Sequence, residues 1–299
     1  MLDRNPDFPA RQDSMSGLLG PTLRVGFIGL GSQGGPMARR IADAGHPLTL
    51  WARRPESLQP YADTAAAVAQ TPAELGAASD LVCVCVVNDV GVEEVLTGPE
   101  GVLSGMAPGG IIAIHSTIHP DTCGRMAAAA RTRGIELIDA PVSGGGSAAA
   151  AGTLLVMVGG EESALARSLP VLSSFAEPIV HLGPVGAGQV AKLLNNTLLA
   201  ANFSTTTGIL DIGRSLGVDA NSLLDVMAHG SGGSYALGVL RGIGGTLAPM
   251  AAEGEPLLRK DVAILAQLAE GAGAERGVPW DAARDAIERM GSALVSPSN

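Results

Sequence analysis

Val25-Gly26-Phe27-Ile28-Gly29-Leu30-Gly31-Ser32-Gln33-Gly34-Gly35-Pro36-Met37 is the stretch on which the fold turns. Four residues suited to a buried strand run straight into a glycine-rich turn, and the chain beyond reads as a helix over 35–44. Gly45 stops that helix, since a residue without Cβ closes a helix C-terminus at little cost. Leu48-Thr49-Leu50-Trp51 is the next strand. A strand, a tight turn, a helix and a second strand in close succession make one unit of an α/β fold.

The same alternation continues outward. Segments 55–61 and 72–78 read as helical, 80–87 as a long apolar strand, 90–96 as a helix and 111–114 as a strand. A helix over 120–133 follows, then strands at 135–139, 154–158 and 179–181. Strands that alternate with helices imply a doubly wound parallel sheet with right-handed crossovers. After Gly188 the strand signal disappears. Helical patterns cover 189–216, 221–227, 235–242, 256–271 and 280–294, so the second half is expected to be all-α. The turn Gly183-Pro184-Val185-Gly186 marks the boundary. The division expected is a flexible leader over 1–23, an α/β domain over 24–184 and a helical domain over 185–299.

Composition narrows the function. The 299 residues are 46% hydrophobic but only 3% aromatic, so the core is built from aliphatic side chains. The net charge of −10 disfavours nucleic acid as a partner, because phosphate binding needs cationic surface. No secretory signal is legible in the first twenty residues, and no apolar run approaches the roughly 18 residues of a membrane span. The expected location is the cytoplasm, with no membrane partner. Of three cysteines, Cys83 and Cys85 share one face of a buried strand and read as small apolar residues rather than a redox or metal pair. His46, His119, His181 and His229 lack ligand spacing, and no metal is expected.

Gly29, Gly31 and Gly34 fit GxGxxG, placed after a strand and opening a helix. In that context Gly29 makes the turn, Gly31 admits a pyrophosphate against the backbone, and Gly34 lets helix and strand approach. Leu30, Ser32 and Gln33 complete the loop, and the helix N-terminus offers N–H groups to phosphate. The second strand ends Trp51-Ala52-Arg53-Arg54, without the carboxylate that would bind a ribose 2′-hydroxyl. Arg53 and Arg54 could instead take a 2′-phosphate, which favours NADP(H) while leaving NAD(H) possible. Ser143-Gly144-Gly145 follows a strand and could present N–H groups to a carboxylate, or be an empty loop. Lys192 and Asn196 lie four apart on one helix face, a pairing suited to a hydroxyl or carbonyl oxygen. Lys260-Asp261 on its own reads as an ordinary surface pair.

Taken in order, the glycine turn, Ser116-Thr117-Ile118, Asp139-Ala140-Pro141-Val142-Ser143-Gly144-Gly145, Gly186-x-Gly188-x-x-x-Lys192-x-x-x-Asn196 and Lys260-Asp261 resemble the β-hydroxyacid dehydrogenase family. That family is 3-hydroxyisobutyrate dehydrogenase-like and stands within the 6-phosphogluconate dehydrogenase superfamily. The resemblance implies a Rossmann domain and an all-α domain joined by a long interdomain helix, with substrate in the cleft between them. It implies Lys192 as general acid and base, with Asn196 as its partner. Ser143, Gly144 and Gly145 would hold the substrate carboxylate. Thr117 and Lys260 would lie near the nicotinamide, and Val87 and Asn88 would join the cofactor set. The substrate implied is a small anionic hydroxy acid or semialdehyde, and the assembly a homodimer or homotetramer. This chain departs from the family at Gln33, where Met is usual, at Ala52, where Asn is usual, and at His115, where Asp is usual. A phosphogluconate enzyme would carry His-Asn where Asn195-Asn196 stands, and an imine reductase would lack the lysine. A non-catalytic NADP-binding protein remains as a reading of a different class.

Overall fold

In a computed structural model, which describes residues 22–295, strand β1 (Val25–Ile28) is wholly buried and leads through the glycine turn into α1 (Gly34–Asp43). Most of the expected leader, residues 1–21, lies outside the described residues, while Leu23 already packs on the first core. Gly45 takes a left-handed φ of 84° just past α1, the conformation its position demanded. Next come β2 (Leu48–Trp51), a 3-10 segment at Pro55–Tyr61, β3 (Ala67–Val68), α2 (Pro72–Ala77), β4 (Leu81–Val84) and α3 (Asp89–Thr97). They are followed by α4 (Val102–Gly105), β5 (Ile111–Ile114), α5 (Pro120–Arg131) and β6 (Glu136–Asp139). These six strands lie side by side in the order β3-β2-β1-β4-β5-β6, all parallel.

Successive side chains of a strand point to opposite faces, so each face of the sheet builds its own core. Phe27, Leu50, Cys83, Ala113 and Ile138 face α1 on one side. Ile28, Val84, Ile112 and Ile114 face α3 and α5 on the other. Burial on both faces explains why β1, β4 and β5 are apolar at every position. Cys83 and Cys85 pack on the same side, as expected for small apolar residues.

The sheet then changes direction, which corrects the expectation of a wholly parallel one. The chain continues as β7 (Val142–Ser143), α6 (Gly145–Ala151), β8 (Leu154–Gly159), α7 (Glu162–Leu172) and β9 (Ala176–Gly183). β8 runs antiparallel to β6 and β7, and β9 runs parallel to β8. The connection 144–153 is too short for a parallel crossover, which takes about a dozen residues or more. Left-handed glycines at 144, 145 and 152 reverse the chain instead.

Past β9 the described chain is helical: α8 (Ala187–Ser215), α9 (Ala220–His229), α10 (Tyr235–Gly242), α11 (Ala251–Gly271) and α12 (Gly277–Val295). α11 begins five residues before the expected 256 and carries Pro256 within its second turn. Ala200 and Phe203 of α8 join Leu240, Leu258, Ile287 and Met290 in a core separate from the two on the sheet. Among the described residues, no helix is long and apolar enough to cross a membrane.

Candidate active site

The glycine turn is shaped by close backbone approaches. A Cβ on Gly29, whose φ is +99°, would lie 2.1 Å from the Cys85 carbonyl, and one on Gly34 would lie 2.0 Å from the Gly29 carbonyl. Gly31 differs: a Cβ there would meet nothing within 4 Å. Its backbone therefore borders free space at the mouth of α1, whose first turn holds no acidic residue and no capping side chain. An anionic group fits that opening. The Tyr61 hydroxyl donates to the Gly35 carbonyl at 2.7 Å and steadies the start of α1. Gly146 sits so close to Ser32 that a Cβ would fall 2.5 Å from its carbonyl oxygen. The Ser143-Gly144-Gly145 segment, through Gly146, and the glycine turn are thus neighbours.

The long helix is fixed to the sheet by a buried carboxylate. Asp139, at the end of β6, accepts from the Gly186 N–H at 2.6 Å and the Gln189 N–H at 2.8 Å. Burial pushes its carboxyl up to about 6, against the pull of these backbone donors. One face of α8 comes so near β8 that a Cβ on Gly188 would stand 2.3 Å from the Met157 carbonyl. Gln189 then clasps the segment after β5: its amide donates to the Ser116 carbonyl at 2.8 Å and accepts from the Ile118 N–H at 3.1 Å. The Ser116 hydroxyl in turn accepts from the Val86 N–H at 2.8 Å, which ties in the end of β4.

One turn after Gln189, Lys192 is buried with 8% exposure, and Asn196 lies beside it at 9%. Asn196 Nδ2 donates to Asp261 Oδ2 at 2.6 Å, and Asn196 Oδ1 accepts from Asn195 Nδ2 at 3.2 Å. Lys260 Nζ stands 3.1 Å from Asp261 Oδ1 and also donates to the Thr117 carbonyl. Burial lowers the Lys192 ammonium to about 8; the Asp261 carboxylate pulls it back up and the Lys260 charge adds to the drop. An amine that titrates near neutrality can both give and take a proton in the working pH range.

The expectation of a surface pair at 260–261 is therefore corrected. Asp261 is 3% exposed and holds Asn196 and Lys260 at once. Three residues that sequence reasoning gave no role, Asp139, Gln189 and Asp261, position the groups that it did name. The available signal was Asp139 itself, a carboxylate directly after the apolar pair Leu137-Ile138 at the end of a strand. The remaining cofactor candidates lie farther out. Arg53 is exposed and ion-paired with Glu94 at 2.8 Å, and Arg54 stands 4.0 Å from Glu56. Val87 is 76% exposed, and Asn88 caps α3 through the Gly91 N–H at 3.0 Å. No cluster of three or more metal-ligating side chains occurs among the described residues.

Comparison with known proteins follows this geometry. Residues 24–183 match the family model for the NAD binding domain of 6-phosphogluconate dehydrogenase. Residues 186–291 match the model for the NAD-binding region of NADP-dependent 3-hydroxyisobutyrate dehydrogenase. A 3-hydroxyisobutyrate dehydrogenase of Pseudomonas aeruginosa is 37% identical over 213 residues, 71% of this chain and 72% of its own length.

The chain belongs to the β-hydroxyacid dehydrogenase family.

Two further members illustrate its breadth. A NAD-dependent L-serine dehydrogenase of P. aeruginosa is 35% identical over 72% of each chain. The solved 3-hydroxyisobutyrate dehydrogenase of Mycobacterium tuberculosis, in complex with L-serine, superposes with a TM-score of 0.79 at 29% identity. That match covers 92% of this chain and all of the solved chain.

Proposed function

We propose that the protein is a dehydrogenase that moves a hydride between NADP(H) and a small 3-hydroxy acid or its semialdehyde, with Lys192 transferring the proton. Residues 24–184 serve as the cofactor domain and 185–299 as the helical substrate domain. The observation that carries this reading is the buried Lys192–Asn196 pair, with the Lys192 ammonium lowered to about 8 where the β5 segment, α8 and α11 meet.

The Gly29–Gly34 loop is suited to hold the pyrophosphate, with Val87, Asn88 and Thr117 along the cofactor's path and Lys260 at its nicotinamide end. When bound, the nicotinamide supplies or takes the hydride. The protein's own residues do the rest. The Ser143 hydroxyl and the N–H groups of Gly144 and Gly145 seat the substrate carboxylate, in open space where a Cβ on Gly145 would meet nothing within 4 Å. Asn196, fixed by Asp261 and Asn195, has a second N–H to hold the substrate oxygen. Lys192 takes the proton from that oxygen in oxidation and returns it in reduction. For the cofactor, Arg53 and Arg54 support NADP(H), since no carboxylate ends β2. The relatives carry both kinds of name, one NADP-dependent family model and one NAD-dependent serine enzyme.

The test is turnover of 3-hydroxyisobutyrate and L-serine by wild type and Lys192→Met, each with NADP and NAD. The expected result is a loss of about a hundredfold or more in kcat without the amine, and a higher kcat/KM with NADP. A Lys192→Met enzyme as active as wild type refutes the mechanism, and a clear preference for NAD refutes the cofactor assignment.

A further inference from the structure

We infer that the acid handled here carries an extended, uncharged substituent next to its carboxylate, seated in the cleft bounded by α6, β8 and α8. This rests on the reading that Ser143 and Gly144 receive the carboxylate, and it names the substrate class for that same site. A cleft of about 730 Å³ is lined by Ser143 and Gly144 together with residues of α6, β8 and α8 and the start of α10. That volume falls in the range of roughly 300–1,000 Å³ typical of pockets that enclose drug-sized ligands. An acid as small as 3-hydroxyisobutyrate, at seven non-hydrogen atoms, would leave most of it to water.

The chemistry of the walls says what fills it. Ala151, Leu155, Leu198 and Leu199 supply apolar surface, and Asn195 and Asn202 supply neutral amides. Among the described residues, no Asp, Glu, Lys, Arg or His lines the cleft. A second carboxylate or a phosphate on the substrate would lose its hydration there with no counter-charge to replace it. An alkyl or other uncharged tail gains by displacing water from Leu155, Leu198 and Leu199. Asn195 connects this cleft to the proton-transfer residues, because its Nδ2 donates to Asn196 Oδ1. A tail that leaves the carboxylate at Ser143 and follows α8 away from Lys192 would therefore not obstruct the reacting carbon.

Two measurements on the NADP-loaded enzyme test the inference. The first is calorimetric binding of 2-alkylpropanoates, which lack the reacting hydroxyl. The second is kcat/KM for 3-hydroxypropanoates bearing 2-methyl, 2-propyl, 2-pentyl or 2-(2-carboxyethyl) groups. Affinity and kcat/KM are expected to rise about fourfold per added methylene, in line with burial of a methylene. The carboxyethyl compound is expected to fall at least about tenfold below the propyl one. Ala151→Phe, at an exposed helix position that points into the cleft, is expected to lower the pentyl-to-methyl ratio of kcat/KM by about tenfold. Three results would overturn the inference alone: turnover of the methyl compound with no gain from longer chains, a carboxyethyl compound as good as the propyl one, or an unchanged ratio in Ala151→Phe. If none of the acids binds or reacts, the functional reading fails together with it.

Discussion

His115 shows how a single residue records its surroundings. It is 2% exposed, stacks on Phe27 with ring centres 6.4 Å apart, and meets Phe175 edge-on at 5.6 Å. Nδ1 lies 2.8 Å from the Ala140 carbonyl, an acceptor, so Nδ1 carries the proton and Nε2 is left without a partner. Burial lowers its pKa to about 4. The unfolded chain, with an ordinary value near 6.5, therefore binds this proton first. Stability contributed by neutral His115 is fully present above about 6.5 and is lost progressively as pH falls toward 4. Relative to His115→Phe, wild type is expected to lose about 2 kcal/mol of unfolding free energy between pH 6.5 and 5, measured by urea denaturation. Parallel curves for the two proteins would show that His115 is not the titrating group. At this scale the residue types at Lys192, Asn196 and Ser143 were legible in the sequence. The roles of Asp261 and Gln189 were not, because their partners lie 65 and 73 residues away.

At the scale of elements, the glycine turn separates folding from binding. Gly29 and Gly34 are needed by the fold, since a Cβ at either would strike backbone, whereas Gly31 borders only open space. Gly29→Ala is therefore expected to lower stability by about 2 kcal/mol or more, combining strain at positive φ with the clash at Cys85. Gly31→Ala is expected to unfold like wild type but to bind NADPH about tenfold more weakly by fluorescence titration. Equal binding by wild type and Gly31→Ala would remove the pyrophosphate from this loop. Elements with strong patterns were readable beforehand: β1 with its turn, the buried strands, and α8 within two residues at each end. The direction of β8 was not, because side-chain alternation is the same in parallel and antiparallel strands. Helix α6, Gly-Gly-Ser followed by four alanines, shows no apolar stripe and was hidden for that reason. The segment Pro55–Tyr61 read as a helix but closes as a 3-10 turn, with Pro60 lacking the N–H that an α-helix would use.

At the scale of the molecule, the two sheet cores and the two helical cores among the described residues are joined by α8, whose first turns lie against β8 while Ala200 and Phe203 pack in one helical core and Leu210 in the other. Asp139 sits at that junction, so the helix that carries Lys192 and Asn196 is fixed directly to the sheet. The outer side of α8 leaves Leu194, Ile209 and Ile212 exposed, between 47% and 56%, and Leu216 just past its end is 75% exposed. Apolar surface in a row on one long helix suits association with another copy. Light scattering is expected to return a multiple of the 30.0 kDa chain, and a monomer at micromolar concentration would contradict the proposed dimer or tetramer.

The pH dependence of kcat/KM in the two directions tests the role of Lys192 most directly. In the proposed mechanism oxidation needs the Lys192 amine neutral and reduction needs it charged, and burial lowers its pKa to about 8. With 3-hydroxyisobutyrate and NADP, the rate is expected to climb as pH rises through about 8; with the semialdehyde and NADPH, it is expected to decline over the same interval. Profiles that are flat from pH 7 to 9 in both directions would contradict the assignment of proton transfer to Lys192.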